Sequence, residues 1–122
     1  MHRLSFPAHK RLLRKSEFDA AYARGWRLGN GFFGVTAISN DKKGARLGMA
    51  VAVRTAGNAV ERNRIRRIVR ESFRLHQETL PSVDLVVSAR PKARAVAGTE
   101  LHASLVGLWK KVIERCASSP SC

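Results

Sequence analysis

The stretch "GNAVERNRIRRIVRESFR", residues 57–74, decides how this chain is interpreted. Six of its residues are arginine, and only two, Glu61 and Glu71, are acidic. Asn58 and Glu61 have the spacing of a capping box, which predicts a helix from residue 59 to about residue 77. This helix would carry far more positive charge than its own acidic residues can neutralise.

The predicted helix has two distinct faces when its side chains are placed at ~100° per residue. The apolar side holds Ile65, Ile68, Val69 and Ser72, with Phe73 at its edge. The opposite side, called the basic face below, consists of Arg62, Asn63, Arg64, Arg66, Arg67, Arg70 and Arg74. Because a solvated helix face normally mixes both charges, a face of one sign indicates phosphate binding. Periodicity alone leaves open whether the phosphates belong to DNA or RNA.

The composition also favours an anionic macromolecule as the partner. The chain has 122 residues, which fits one domain, and a net charge of +14. Such a surface repels itself until a nucleic acid or a membrane surface neutralises it. The longest apolar run, residues 47–53, is far too short to span a bilayer. We therefore expect a nucleic-acid partner and no membrane.

No residue pattern indicates a catalytic or metal-binding site in the protein itself. The four histidines and nine acidic residues lack the spacing of a metal site or of a nucleophile with its base. The two cysteines, Cys116 and Cys122, lie close together, and a bridge across so short a loop would add little stability. We therefore expect no catalytic residue, no bound metal, reduced thiols and a cytoplasmic location.

The segments before the basic helix predict an arm, a short helix and two or three strands. Residues 1–15 contain five Lys or Arg and no acid, which is typical of a basic, partly disordered arm. Ser16 can cap a short helix that ends at Gly25. A turn, "RLGNG", follows, and strands at 32–39 and 45–54 are then predicted to pair antiparallel through the loop between them.

Small and aromatic residues in these segments allow two interpretations each. Gly48 and Ala50 share one face of the second strand. These small residues would allow either a flat group to approach the sheet closely or a helix to pack on it. Phe18 and Tyr22 lie four residues apart on one face of the first helix. The two rings would flank a groove for stacked single-stranded bases, or they would be core residues.

The remaining segments complete a small α+β fold. Residues 83–90 predict a strand. Thr99 can cap a last helix, whose apolar stripe comprises Leu101, Leu105, Leu108, Val112 and Cys116. This order predicts a single-domain α+β sandwich over residues 16–117, with a mixed sheet of about four strands and three helices, followed by a flexible tail at 118–122.

The basic helix and its neighbours resemble the protein subunit of bacterial ribonuclease P. The core of the family signature is an Arg-Asn-Arg box on a helix, and the corresponding residues here are Arg62, Asn63 and Arg64, followed by Arg66, Arg67 and Arg70. The preceding "GNAV" also matches. The stretches "LRKSEFDAAYARG", "RLGMAVAVR" and "VVSARP" are similar to the family's first helix, the strand entering the motif and the strand after it. The similarity covers about residues 11–115.

This resemblance implies a function that the residue pattern alone does not reveal. Proteins of the family join a large catalytic RNA, and the ribonucleoprotein removes the 5′ leader from precursor tRNA as an endonuclease. The RNA holds the catalytic magnesium, so no cofactor bound by the protein is expected, and the protein is expected to be a monomer in the holoenzyme. The resemblance also implies a left-handed crossover around the basic helix, against the usual right-handed rule.

The family's binding sites can be carried over to this chain by position. The basic face is then expected to meet the catalytic RNA, and a cleft beside the sheet to hold the leader, with Phe18, Tyr22, Thr36 and Arg54 on the leader side. Family members often have an aromatic residue where this chain has Thr36, and paired basic residues where only Arg54 remains. Further candidates for RNA contacts are Asn58, Arg90 and Lys92.

Two other functions stay open on the sequence alone. The same basic helix would serve a general RNA chaperone or a ribosome-associated RNA-binding module, and the protein could also be a nuclease in its own right. A binding module would bind many RNAs with similar affinity at matched salt. A nuclease would cleave without any RNA subunit.

Overall fold

The computed structural model describes residues 11–12, 14–40, 42, 44–50 and 57–117. Three helices are present in these residues: α1 (Lys15–Arg24), α2 (Ala59–His76) and α3 (Gly98–Ala117). The four strands are β1 (Trp26–Gly29), β2 (Phe33–Ser39), β3 (Arg46–Ala50) and β4 (Val83–Ala89). They form one mixed sheet in the order β1-β2-β4-β3, which confirms the predicted α+β fold.

The centre of the sheet differs from the sequence prediction. β2 and β3 were expected to pair with each other, but β4 lies between them, antiparallel to β2 and parallel to β3. β4 takes this position because its first five residues are all buried, as is typical of a strand covered on both faces. α2 therefore forms the crossover between two parallel neighbours, β3 and β4. The left hand of this crossover stays a prediction from the family resemblance.

The predicted number of about four strands is confirmed, but the first strand was not located, because its last three residues fall in the predicted turn "RLGNG". β1 pairs antiparallel with β2, from Trp26 opposite Ala37 to Gly29 opposite Gly34. The connection between the two strands is only three residues long and is organised by Asn30, whose Oδ1 accepts the N–H groups of Phe32 and Phe33 at 2.9 Å each. The glycines of this segment therefore belong partly to strands.

Helices cover both faces of the sheet. α1 packs against β2 and β4 on one face, whereas α3 packs against β1 and β2, and α2 against β3, on the other. The main core lies on the α2/α3 side. It contains Phe33, Val35, Leu47, Leu85 and Val87 from the sheet, with the apolar side of α2 and the stripe Leu101, Leu105, Leu108 and Val112 of α3. Trp109, absent from the predicted stripe, is also buried, and its indole N–H donates to Ser72 Oγ at 2.9 Å.

Helix ends follow the sequence prediction in two cases and depart from it in two. α1 ends at Gly25, as predicted, and Asn58 caps α2. Ser16 and Thr99 are not caps, because α1 and α3 begin one residue earlier and enclose them. Helix propensity alone does not locate an end to within one residue.

The two terminal segments of the chain are described only in part. Leu12 is buried, and its N–H donates to the carbonyl oxygen of Leu47 at 2.9 Å, so the end of the predicted arm is attached to the edge of β3. Cys116 is disulfide-bonded, so the expectation of a reduced thiol is wrong for this residue; Cys122 lies outside the described residues. Residues 1–10 of the arm and the predicted tail at 118–122 lie outside the described residues.

Candidate nucleic-acid interface

The basic face is presented by a helix whose start and orientation are both well determined. Asn58 Oδ1 accepts the N–H of Glu61 at 2.9 Å, which satisfies one of the free amide groups of the first turn. The buried residues of α2 are Ile65, Ile68, Val69, Ser72 and Phe73, which are the five predicted from periodicity. Because this apolar side packs into the core, Asn63, Arg66, Arg67 and Arg70 are exposed.

Two arginines of the basic face are neutralised within the helix itself. Glu61 accepts from Arg64 Nε and Nη2 at 3.0 and 2.5 Å, and Glu71 pairs in the same way with Arg74. These hydrogen bonds lower the pKa of both glutamates, and the bond to Glu71 raises the pKa of Arg74. The two acidic residues of α2 therefore pair with Arg64 and Arg74 at i, i+3 spacing, which leaves an excess of positive charge on the helix, as the sequence predicts.

Positive charge remains concentrated on four residues of this face. None of the ion pairs within the described residues involves Arg62, Arg66, Arg67 or Arg70. Three of the four are exposed, and Arg62 is half-buried. Guanidinium groups along one side of a helix can contact successive phosphates of a nucleic-acid backbone. Each of these four can donate to a phosphate without first breaking an ion pair with a described carboxylate.

A small groove lies where α1, β3 and α2 meet. It has a volume of about 180 Å³ and is lined by Arg11, Leu12, Phe18, Leu47, Gly48, Met49 and Arg66. The groove thus combines an aromatic ring and a strand glycine with a guanidinium from the basic face. An aromatic surface beside positive charge is the arrangement that binds single-stranded nucleic acid without reading its sequence.

The two aromatic residues of α1 have different environments. Phe18 is half-buried against a small cluster of Leu12, Ala21 and Val86, and its ring lies on Gly48, where a Cβ would come within 2.7 Å of Phe18 Cζ. Tyr22 is 43% exposed. Phe18 therefore packs on the sheet while lining the groove, and Tyr22 exposes part of its ring to solvent; stacking of either ring on a base stays a prediction.

The other residues expected on the leader side are placed differently. Thr36 lies on the α1 side of the sheet but is only 7% exposed, and Phe33 points into the main core on the opposite side. Thr36 therefore offers neither a ring nor much surface. Arg54 lies outside the described residues.

A second basic group lies beyond the end of β4. The guanidinium of Arg90 lies over two paired strand glycines, since a Cβ on Gly29 would be 2.7 Å from Arg90 Nη2. Lys92 is exposed in the following 3-10 turn. Arg94 was missed by the sequence analysis, although its spacing from Lys92 continues the basic series. Its guanidinium lies near Gly57, which precedes the cap of α2 and has a positive φ of 93°.

The arrangement near Gly57 joins the two basic regions. The backbone N–H of Ala95 donates to Glu61 Oε1 at 3.2 Å, so the segment after β4 is bonded to the first turn of α2. Asn58, Arg62 and Arg94 therefore lie at the same end of the molecule as Arg90 and Lys92. Within the described residues, no group of three His, Cys, Asp or Glu side chains is positioned to hold a metal ion. The same residues contain no helix that is both long and apolar enough to cross a membrane.

Comparison with known proteins assigns the family. A family model described as Ribonuclease P matches residues 6–113. The chain belongs to the ribonuclease P protein family. It is 41% identical over 105 residues to the "Ribonuclease P protein component" of Halorhodospira halophila, covering 85% of this chain and 86% of the relative. Against the protein of the same description from Pseudoalteromonas atlantica, identity is 38% over 115 residues, with 94% and 96% covered.

Solved structures of ribonuclease P proteins share the fold. The RNase P protein of Staphylococcus aureus superposes with a TM-score of 0.80 at 32% identity, covering 85% of this chain and 97% of that one. The RNase P protein of Thermotoga maritima gives a TM-score of 0.77 at 31% identity, covering 84% and 96%. The family and the fold class implied by the sequence resemblance are both confirmed.

Proposed function

We propose that this member of the ribonuclease P protein family binds the catalytic RNA of the holoenzyme through the basic face and assists removal of the 5′ leader from precursor tRNA. The observation that carries the proposal is the row of arginines on α2 that have no ion pair among the described residues, on a helix whose apolar side is buried in the core. Such a row suits the repeated phosphates of a nucleic-acid backbone.

The contact with the catalytic RNA centres on the exposed middle of α2. Arg66, Arg67 and Arg70 project from one side of a helix that packing prevents from rotating. Arg64 and Arg74 contribute less, because each already donates to a glutamate. Arg90, Lys92 and Arg94 extend the same surface beyond the end of β4.

The contact with the leader is proposed for the groove between α1 and β3. Phe18 and Gly48 form its floor, Arg66 contributes a phosphate partner, and Tyr22 is exposed on the same helix as Phe18. Because this groove does not depend on base-edge hydrogen bonds, it suits leaders of different sequence. The magnesium ions of the reaction are assigned to the RNA, as the family resemblance implies, and the protein supplies charge and shape.

The class of function is tested by reconstitution. Purified protein is mixed with a bacterial ribonuclease P RNA and a precursor tRNA at low magnesium, and the cleavage site is mapped. Cleavage at the mature 5′ end that requires both RNA and protein is expected. Cleavage by RNA-free protein would identify a nuclease, and equal binding of unrelated RNAs at matched salt without restored cleavage would identify a general RNA-binding module.

The leader contact is tested by the affinities of the holoenzyme for precursor and mature tRNA. Tyr22→Ala is the cleaner variant, because the side chain is largely exposed and its loss spares the core. One lost stacked base costs ~1–3 kcal/mol, so the ratio of the two affinities should fall about fivefold or more, with mature tRNA binding unchanged.

Leu75→Ala is the matched control, since Leu75 is also a large, exposed side chain (52%) but lies at the end of α2. Equal affinity ratios for Tyr22→Ala and Leu75→Ala would remove Tyr22 from the leader contact. We further propose that the protein acts in the cytoplasm. We also propose that one copy is present in each holoenzyme, and the mass of the assembled particle from sedimentation would test this stoichiometry.

A further inference from the structure

Arg46, the first residue of β3, links three elements on the α1 side of the sheet. Its Nε and Nη2 donate to the two carboxylate oxygens of Asp84 on β4, at 2.8 and 2.7 Å. Its Nη1 lies 2.8 Å from Glu17 Oε2 on α1. The Arg46 guanidinium therefore binds the sheet through Nε and Nη2 and the helix α1 through Nη1.

This cluster is largely removed from solvent. The side chains of Arg46, Asp84 and Glu17 are only 15%, 10% and 22% exposed, in contrast to 88% and 58% for the Lys15–Asp19 pair on the same helix. Asp84 Oδ1 also accepts from Asn40 Nδ2 at 2.8 Å, and the hydrogen bond from Arg46 to Asp84 raises the pKa of Arg46. Partly buried pairs with satisfied hydrogen bonds hold their geometry far better than exposed pairs do.

Among the described residues, the apolar contact between α1 and the sheet is small. Ala21 is the one fully buried residue of α1, and the described cluster beneath the helix consists of Leu12, Ala21 and Val86 with the half-buried Phe18, Ile38 and Ala50. An alanine and the edge of one phenyl ring give limited apolar area with which to fix a helix on a sheet. The ion pair of Glu17 is adjacent in sequence to Phe18, so it acts on the turn that carries the ring.

We propose that Arg46 is a positioning residue for leader recognition: by holding Glu17 it fixes α1 on the sheet, so that Phe18 lines the groove and Tyr22 is presented on the same helix. Asp84 orients the guanidinium, and Glu17 transmits its position to the helix. The inference rests on the proposed function of the groove, and it assigns to Arg46 no contact with RNA.

Glu17→Gln tests the link with the least disturbance. The amide keeps an oxygen that can accept the N–H of Arg14, as Glu17 Oε1 does at 3.1 Å, and the Arg46–Asp84 pair remains intact. Asp19→Asn is the matched control, because it removes one negative charge from the same helix but breaks only the exposed pair. Any general gain in attraction for RNA is therefore common to both variants.

A second variant addresses the arginine directly. Arg46→Lys keeps the positive charge beside Asp84, but a single ammonium cannot reproduce the fork that bonds two carboxylates. Both Glu17→Gln and Arg46→Lys should increase amide exchange of α1 in the free protein relative to Asp19→Asn. In the holoenzyme both should lower the ratio of precursor to mature tRNA affinity by about threefold or more, a part of what one stacked base contributes.

The affinities of Glu17→Gln and Arg46→Lys for the catalytic RNA should equal that of Asp19→Asn. A general loss of structure would instead lower the affinity for the catalytic RNA as well. If the affinity ratio of Glu17→Gln and Arg46→Lys equals that of Asp19→Asn, whether or not α1 exchange changes, the positioning role is refuted. Tyr22→Ala measured alongside separates this result from failure of the proposed function, because that failure would leave the Tyr22→Ala ratio at the wild-type value as well.

Discussion

Gly48→Ala is expected to displace the Phe18 ring from the sheet. Gly48 lies on β3 directly beneath the ring, and an added Cβ would come within 2.7 and 2.8 Å of Phe18 Cζ and Cε1, and 3.0 Å of Leu12 Cβ. Carbon atoms in favourable contact are about 3.5–4.0 Å apart, so the ring has to move by about 1 Å. Leu12 cannot give way as easily, because its N–H is bonded to the carbonyl of Leu47 at 2.9 Å.

The expected cost follows from two opposing effects. Overpacking of this kind costs about 1–3 kcal/mol, whereas replacing glycine by alanine in a strand recovers about 0.5–1 kcal/mol of backbone entropy. The free energy of unfolding should therefore fall by roughly 1 kcal/mol, the middle of a range of about 0–2.5 kcal/mol. Gly107→Ala is the control: Gly107 is exposed on α3 with nothing within 4 Å of an added Cβ, so the same change should stabilise the protein by about 0.5–1 kcal/mol.

Urea unfolding of four proteins measures the effect: wild type, Gly48→Ala, Phe18→Leu and the double variant. Leucine lacks the ring atoms that meet the new Cβ, so Gly48→Ala should cost much less in the Phe18→Leu background. The reasoning is refuted if Gly48→Ala costs the same in both backgrounds, or if it stabilises the protein as Gly107→Ala does.

Three further outcomes are expected. Arg66→Ala and Arg70→Ala should each reduce the slope of log affinity for the catalytic RNA against log salt by about one, and Arg74→Ala by less, because Arg74 is paired with Glu71; equal reductions in a salt titration would contradict this. Asn58→Ala should lower the free energy of unfolding by roughly 1 kcal/mol through loss of its bond to the N–H of Glu61, and an unchanged melting temperature would argue against the cap. The hydrogen bonds from Arg64 lower the pKa of Glu61, so its contribution to stability is present at neutral pH and is lost as the pH falls through that lowered value. Between neutral pH and about pH 3, the free energy of unfolding measured with urea should therefore fall less for Glu61→Gln than for the wild type. An equal fall in both proteins would count against the Glu61–Arg64 pair.

The basic helix could be predicted almost completely from the sequence. Its cap, its apolar side and its exposed arginines depend on neighbours within four positions along the chain, so a local pattern contains the necessary information. The alternation that places Phe33 and Thr36 on opposite faces of β2 is equally local. The ion pairs of Arg64 and Arg74 with the glutamates three residues earlier could be predicted from the same local spacing.

Strand pairing and the environment of α1 were decided only by the tertiary structure. A loop between two strands in sequence does not show that a later strand, β4, enters between them, because pairing depends on which strand can bury both faces. The cluster of Glu17, Arg46 and Asp84 likewise joins residues from distant parts of the chain, and no spacing rule connects them. The sequence by itself determined which residues carry positive charge and on which side of α2 they lie. Only the packing of α1 over Gly48 decided that a ring and an arginine would share one groove, since that contact exists only when the sheet is assembled.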